Sequence, residues 1–223
     1  MKIFLIRHLP TPGNKKRQYI GRTDEDLSQA AVERFRRQRK AEAGHPANPD
    51  PAYSRPVYPQ VERIITSPLK RCIQTAELIW PGREIMTEPM LRECDFGLYE
   101  GKTYEELKNE PEYVRWMESG GMTAFPEGED QAAFRGRCVS AARRWIGRLL
   151  DEGTQSAAFV VHGGTIMAVL EQLAEGAHDF YRWQAENGGG YAARAEREEW
   201  NSGVCVLREL HRLDQRSCRN LSR

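Results

Sequence analysis

The hydrophobic pattern is strongest at the start of the chain, where four apolar residues run from Ile3 to Ile6 without a polar interruption. An unbroken apolar run is typical of a strand covered on both faces, as in a parallel sheet with helices on either side. Arg7 and His8 follow it directly, and a Pro/Gly turn comes next. Parallel sheets bind ligands at the carboxyl ends of their strands, so this Arg-His pair lies where a functional site is expected.

The rest of the pattern alternates between helix and strand. The spacing of apolar residues predicts helices over 28–43, from Ser67-Pro68 onward, over 129–151 and after Thr165. Strands are predicted over 61–67, 84–91 and 157–161, and a final hairpin over 191–195 and 203–210. This order predicts a three-layer α/β/α fold with a mostly parallel central sheet.

Three stretches interrupt the alternation. Residues 44–60 contain five prolines and are predicted to be an exposed excursion. Residues 98–128 are short, polar, helix-prone pieces and are predicted to be a small helical cap insertion. The tail 211–223 is basic and polar and is expected to be frayed. The 223 residues are therefore interpreted as a single domain.

Composition narrows the choice of partner and compartment. The net charge is only +1 and the one basic block, 34–40, lies in a helical pattern, so nucleic acid is not expected as a partner. No apolar run approaches the roughly 20 residues of a membrane span, and no signal peptide is expected ahead of the first strand. The five cysteines are scattered and odd in number, which predicts free thiols in a reducing cytoplasm. The expected state is a monomer or a homodimer.

Five chemically active side chains are predicted to meet at one edge of the sheet. His8 and His162 each end a strand, Arg7 adjoins His8, Arg71 lies in a first helical turn, and Glu93 follows a third strand. Guanidinium groups bind phosphate through a bidentate fork, a neutral imidazole can attack phosphorus, and a carboxylic acid can protonate the leaving oxygen. The set therefore favours phosphoryl chemistry on a small phosphorylated substrate.

Each part also has a purely structural interpretation. His162 could be a capped histidine of the core, Glu93 a solvated loop residue, and Gly163-Gly164 a site of tight packing instead of an anion-binding helix start. The coincidence of all these groups at strand ends favours the functional interpretation.

Four separate motifs in the right order make the chain resemble the histidine phosphatase superfamily, also called the phosphoglycerate mutase-like family. The resemblance extends from Lys2 to about Leu210. The motifs are Arg7-His8-Leu9-Pro10-Thr11 with Asn14 and then Gly21, Ser67-Pro68-Leu69-Lys70-Arg71 with Gln74-Thr75-Ala76, Leu91-Arg92-Glu93 to Gly97, and Val161-His162-Gly163-Gly164-Thr165.

The resemblance implies a role for each matching residue and a phosphoglycerate mutase-like fold. His8 is the nucleophile that becomes phosphohistidine, and Glu93 is the general acid and base. The phosphoryl oxygens are surrounded by two guanidinium groups and an imidazolium, which belong to Arg7, Arg71 and His162. Further phosphate or substrate contacts are assigned to Asn14, Gly21 and Gly163. The resemblance implies no metal and no organic cofactor.

The chain departs from the family pattern beside the nucleophile. Leu9 and Pro10 replace the usual Gly and Glu or Gln, so the turn is stiffer and lacks a polar side chain. The family's next arginine is Gln18 here, with Arg17 beside it, and no anion-binding role is assigned to either. These differences bear on rate and on substrate contacts.

The resemblance leaves two sister activities to separate. Mutases of the family usually have Arg and His where this chain has Cys94 and Asp95, and Glu100 follows. Acidic residues that face the pocket would repel a second anionic group. We therefore predict a phosphomonoesterase, with alpha-ribazole 5'-phosphate as one candidate substrate. The alternatives are a cofactor-dependent phosphoglycerate mutase and a phosphate-binding module without turnover.

Overall fold

The computed structural model describes residues 1–44, 58–121, 123–176 and 179–213. Within these residues, six strands form one sheet: β1 (Lys2–Arg7), β2 (Arg63–Thr66), β3 (Met86–Thr87), β4 (Ser156–Val161), β5 (Gly190–Arg194) and β6 (Arg208–Leu213). Their order across the sheet is β3-β2-β4-β1-β5-β6. The first four strands run parallel, while β5 and β6 add an antiparallel edge next to β1. The mostly parallel sheet predicted from the sequence is confirmed.

Helices cover both faces of this sheet. The described helices are α1 (Pro12–Lys15), α2 (Gln29–Gly44), α3 (Lys70–Ile79), α4 (Tyr104–Leu107), α5 (Pro111–Glu118), α6 (Gln131–Asp151), α7 (Gly163–Leu173) and α8 (Arg197–Asn201). Short 3-10 turns occupy Pro89–Leu91, Gly97–Tyr99 and Phe180–Trp183. Within the described residues, no helix combines the length and apolar character needed to cross a membrane.

Alternate residues of β1 enter two separate cores, which confirms the three-layer prediction. Ile3 and Leu5 belong to the larger core, which contains the buried apolar residues of α6 and α7. Phe4 and Ile6 belong to the second core, which contains Phe35 of α2 and the buried apolar residues of α3. The uninterrupted apolar run thus results from burial on both faces of the strand.

The predicted third strand over 84–91 is largely wrong. Only Met86–Thr87 pairs with β2, and Pro89–Leu91 forms a 3-10 turn. Pro89 has no N–H to donate to a ladder, and the side chain of Glu88 accepts the N–H of Met90 and caps the turn. The chain therefore bends away from the sheet before it reaches Glu93.

The start of α3 also differs from the prediction. The helix begins at Lys70 with Leu69 as its N-cap and no side-chain capping bond, so Ser67-Pro68 precedes the helix. The hydroxyl of Ser67 lies 2.7 Å from Nε2 of His162. Ser67, with which the predicted helix was expected to begin, thus contacts His162 instead.

The end of the chain is shifted relative to its prediction. The antiparallel pairing of the last two strands is confirmed, but α8 lies between them and β6 begins at Arg208. The expectation of a frayed tail is wrong for residues 211–213, which belong to β6. Residues 214–223, and residues 45–57 of the predicted proline-rich excursion, lie outside the described residues. In the segment 98–128, the described residues form α4 and α5 and add no strand to the sheet, and the role of the segment as a cap stays a prediction.

Candidate active site

The two histidines meet because the strands that carry them are neighbours. β1 and β4 pair in parallel with Arg7 opposite Val161, and the N–H of His8 donates to the carbonyl of Val161 at 3.0 Å. The rings of His8 and His162 are 5.3 Å apart between centroids, in an edge-on arrangement. Both side chains are buried. The predicted meeting of these residues at one edge of the sheet is confirmed.

The protonation of His8 follows from one hydrogen bond. Its Nδ1 lies 2.7 Å from the carbonyl oxygen of Leu9. A carbonyl only accepts, so Nδ1 carries the proton and Nε2 is the nitrogen with the lone pair. Burial, and then the positive charges of Arg71 and Arg7, lower the pKa of His8 well below its usual value of 6.5. A neutral imidazole with Nε2 unprotonated is the form that can attack phosphorus.

His162 has the opposite tautomer. The Nε–H of Arg71 donates to its Nδ1 at 3.3 Å, which leaves Nε2–H to donate to the hydroxyl of Ser67. Burial is the largest cause that lowers the pKa of His162 well below 6.5, followed by the charge of Arg71. In this structure His162 is therefore a neutral ring that orients Arg71. Its role as an imidazolium beside the phosphoryl group stays a prediction.

Arg71 is completely buried and held by carbonyl groups. Its Nη2 donates to the carbonyl of Gly21 at 2.8 Å, and its Nη1 donates to that of Thr23 at 2.7 Å. Each terminal nitrogen of a guanidinium carries two N–H groups, so these bonds leave further donors on the same planar fork. Because carbonyls carry no net charge, the positive charge of Arg71 is not neutralised by them.

Arg7 presents a second guanidinium from the end of β1. Its Nη1 donates to the carbonyl of Ala185 at 2.8 Å, and the group lies against Gly163 at the start of α7. Among the described residues, its buried Nε–H has no hydrogen-bond partner. Burial is the main cause that lowers the pKa of Arg7, while the charge of Glu93 raises it. A buried donor of this kind is suited to an anionic ligand.

Glu93 is positioned by the start of α7. Its Oε2 accepts the N–H of Gly164 and its Oε1 accepts the N–H of Cys94, both at 3.0 Å. A Cβ on Gly164 would lie 2.4 Å from Oε1 of Glu93, so a larger residue here would displace the carboxylate. Burial raises the pKa of Glu93, against the opposing effect of these hydrogen bonds and of Arg7 and Arg71. A carboxyl group with a raised pKa can supply a proton near neutral pH.

The predicted substrate contacts are at the site, but their roles stay predictions. The side-chain oxygen of Asn14 accepts the N–H of Thr11 at 3.2 Å and caps α1. The N–H of Gly21 donates to Glu100, and its carbonyl accepts from Arg71. Gly163 lies directly beside the guanidinium of Arg7.

Two residues of the site were missed by the sequence analysis. Asn187 donates through Nδ2 to the carbonyl of His8 at 3.0 Å and to Oδ1 of Asn14 at 3.1 Å. Arg137 of α6 forms a bidentate pair with Glu129 and donates to the carbonyl of Glu93 at 2.9 Å. Only 12% of the Arg137 side chain is exposed. Neither residue had a local signal, since the contacts depend on the tertiary fold.

The acidic residues Asp95 and Glu100 already have partners. Asp95 forms an ion pair with Arg22 at 3.4 Å and accepts the N–H of Gly97. Glu100 accepts backbone N–H groups from the loop 21–23. The sequence suggested that these carboxylates would repel a second anionic group of a substrate if they faced the pocket. In the structure each carboxylate is bonded to protein groups instead.

The described residues contain no group of three or more His, Cys, Asp or Glu side chains placed to hold a metal ion. The cysteines among them (Cys72, Cys94, Cys138 and Cys205) are free thiols. Cys218 lies outside the described residues.

The tautomer of His8 can be measured directly. We expect long-range ¹H–¹⁵N correlation spectra to show a proton on Nδ1 and none on Nε2 between pH 6.5 and 8, since the pKa of His8 lies below its usual value. A His8 signal with the proton on Nε2, or a pKa of 6.5 or above, would contradict the assignment.

Comparison with known proteins agrees with this geometry. The model of the histidine phosphatase superfamily (branch 1) matches residues 3–205. The broad-specificity phosphatase YOR283W of Saccharomyces cerevisiae is 26% identical over 187 residues, which are 82% of this chain and 74% of that protein. The alpha-ribazole phosphatase structure from Shigella flexneri superposes with a TM-score of 0.70 at 22% identity, over 89% of this chain and 92% of that one. The phosphoglycerate mutase structure from Thermus thermophilus gives a TM-score of 0.57 at 27% identity, over 86% and 91% of the two chains.

The two solved structures share the three-layer fold, and the family match includes every motif around His8. The chain therefore belongs to the histidine phosphatase superfamily, branch 1, and is a phosphatase-type enzyme.

Proposed function

We propose that the enzyme hydrolyses a small phosphate monoester through a phosphohistidine formed on His8. The observation that carries the proposal is the hydrogen bond from Nδ1 of His8 to the carbonyl of Leu9, which leaves Nε2 unprotonated beside two guanidinium groups. Phosphoryl transfer depends mainly on positioning and on neutralising charge, and these residues supply both.

In the first step, the lone pair of Nε2 of His8 attacks phosphorus and the bond to the ester oxygen breaks. Glu93 in its acid form gives its proton to the departing oxygen, so the product leaves as an alcohol. Arg7 and Arg71 bind the phosphoryl oxygens throughout. The ring now carries the phosphoryl group on Nε2 and a proton on Nδ1, and the Leu9 carbonyl stabilises the resulting positive charge.

In the second step, water attacks the phosphorylated histidine. Glu93, now a carboxylate, accepts a proton from the water as the bond between phosphorus and Nε2 breaks. Because Nδ1 has kept its proton, His8 departs as a neutral imidazole. Inorganic phosphate leaves, and both His8 and Glu93 return to their starting forms.

The partners of Arg22 and of the loop 21–23 favour hydrolysis over transfer of the phosphoryl group to a second substrate. A mutase must hold a substrate with two acidic groups, which requires cations beyond Arg7 and Arg71. Arg22 is paired with Asp95, and the N–H groups of the loop 21–23 are bonded to Glu100. We infer that a substrate with one phosphate and no second acidic group fits best. Alpha-ribazole 5'-phosphate is one candidate for the substrate panel, and the yeast relative's name suggests that several esters should be included.

Replacement of the nucleophile tests the proposal. The change His8→Ala should reduce turnover of p-nitrophenyl phosphate by at least about 10³-fold, because it removes the nitrogen on which the intermediate forms. Rapid quench with labelled substrate should trap an acid-labile phosphoenzyme in the wild type alone. His211→Ala, at an exposed position of β6, is the matched control and should keep both the turnover and the trapped phosphoenzyme of the wild type. A His8→Ala variant with normal turnover would rule out His8, and a wild type without turnover would favour the phosphate-binding module.

The leaving group tests the role of Glu93. The change Glu93→Gln should slow hydrolysis of alkyl phosphates by about 10²–10⁴-fold and should affect activated aryl phosphates much less, since only poor leaving groups need the proton. In the wild type, alkyl phosphate turnover should fall as pH rises through the raised pKa of Glu93, because the acid form is lost. This alkaline decline should be absent in Glu93→Gln. Equal losses on both substrate types would show that Glu93 only positions other groups.

The products formed from 3-phosphoglycerate separate a phosphatase from a mutase. We expect no appreciable 2-phosphoglycerate, with or without 2,3-bisphosphoglycerate. The reason is that the guanidinium of Arg22 is already paired with Asp95, and its backbone N–H already donates to Glu100. At least one ester of the panel should release inorganic phosphate under the same conditions. Isomerisation faster than phosphate release would contradict the proposal.

A further inference from the structure

Glu100 binds one side of the loop formed by residues 21–23. Its Oε1 accepts the N–H of Gly21 and of Arg22, both at 3.0 Å, and its Oε2 accepts the N–H of Thr23 at 3.3 Å and its hydroxyl at 2.6 Å. Three successive backbone N–H groups thus converge on one carboxylate. Proteins use this arrangement to bind anions, and here the anion belongs to the chain itself.

The other side of the same loop binds Arg71. The carbonyl of Gly21 accepts from Nη2, and the carbonyl of Thr23 accepts from Nη1. The peptide group that joins Gly21 to Arg22 therefore donates its N–H to Glu100 and accepts from Arg71 through its carbonyl. The N–H and C=O bonds of a trans peptide point in opposite directions and their dipoles add, so the carboxylate and the guanidinium bind opposite ends of a single rigid peptide group.

The position of Glu100 is itself fixed by backbone bonds. The N–H of Tyr19 donates to the carbonyl of Lys102 at 2.9 Å, and the N–H of Gly101 donates to that of Tyr19 at 2.8 Å. A bridge between Gln18 and Thr103 continues this pairing. Glu100 therefore approaches the loop from a segment that is already attached to it.

The loop has little room to move on its remaining side. A Cβ on Gly21 would lie 1.8 Å from the carbonyl oxygen of Cys94, so the backbone passes in direct contact with the segment that carries Glu93. Only glycine permits this approach. The loop thus lies between the segment of Glu93, the carboxylate of Glu100 and the fork of Arg71.

We propose that Glu100 is a positioning residue for Arg71, acting through the peptide groups of the loop 21–23. This inference rests on the proposed function, in which Arg71 binds the phosphoryl group. Glu100 fixes the two carbonyls that hold one N–H on each terminal nitrogen of Arg71. The remaining N–H groups then keep the direction needed to contact phosphoryl oxygens as a fork.

A double-mutant cycle between Glu100 and Arg71 tests this coupling. The change Glu100→Ala removes the carboxylate that holds the loop 21–23. In the wild-type background it should lower kcat/KM for p-nitrophenyl phosphate by on the order of 10–100-fold, because Arg71 loses its fixed orientation. In the Arg71→Met background, the same change should cost less than about 3-fold, because the group that it positions is gone. A loss of equal size in both backgrounds would overturn the proposal, because a general structural effect does not depend on Arg71.

Two further variants keep the test decisive. Glu105→Ala removes an exposed carboxylate of α4 and should leave kcat/KM unchanged. Glu100→Gln keeps one acceptor oxygen and nearly the same shape, so it carries the cycle if Glu100→Ala does not fold, as judged by thermal melting. It should give a smaller loss than Glu100→Ala, again only when Arg71 is present.

Binding of inorganic phosphate separates this inference from the proposed function. Calorimetry on the same four proteins of the cycle should show that Glu100→Ala weakens phosphate binding about 10-fold with Arg71 present and little without it. This result does not require turnover, so it holds even if no ester is hydrolysed and the proposed function fails. If the wild type hydrolyses esters but the effects of Glu100→Ala and Arg71→Met simply add, both in kcat/KM and in phosphate binding, the positioning role is rejected and the proposed function stands.

Discussion

The active site depends first on the parallel pairing of β1 with β4. The register places Arg7 opposite Val161, so the next residue on each strand is a histidine. A slip by one residue would turn every side chain of β1 to the opposite face and would exchange Ile3 and Leu5 with Phe4 and Ile6 between two cores that are packed for the present arrangement. The hydrophobic pattern that stabilises the sheet therefore also sets the distance between His8 and His162.

Two guanidinium groups, those of Arg7 and Arg71, are buried at the site, and among the residues that the structure describes no carboxylate forms an ion pair with either. Carbonyls of Gly21, Thr23 and Ala185 accept their N–H groups instead. A carboxylate in these places would satisfy the same donors but would also compete with a phosphoryl dianion for the charge. Carbonyl partners lower the cost of burying the donors while leaving the positive charge available to a ligand.

Much of this site could be predicted because its chemistry is concentrated in short segments at strand ends. His8 and His162 directly follow apolar strands, and Arg71 and Glu93 lie in motifs that are recognisable without the fold. The tautomers could not be predicted, because they are set by partners such as the hydroxyl of Ser67, 95 residues from His162 in sequence. Asn187 was missed for the same reason, since 179 residues separate it from His8.

The departure at Leu9 and Pro10 is compatible with catalysis because the groups that these positions supply are backbone groups. The Leu9 carbonyl fixes the tautomer of His8, and its N–H donates to the hydroxyl of Thr75, which in turn donates to the carbonyl of Arg71. Pro10 has no N–H, but its carbonyl accepts from Ser28. The buried Leu9 side chain packs in the second core, where a polar side chain would need a partner. The turn after the nucleophile thus lacks a polar side chain, while the backbone groups of Leu9 and Pro10 make the hydrogen bonds that hold His8 and the start of α2 in place.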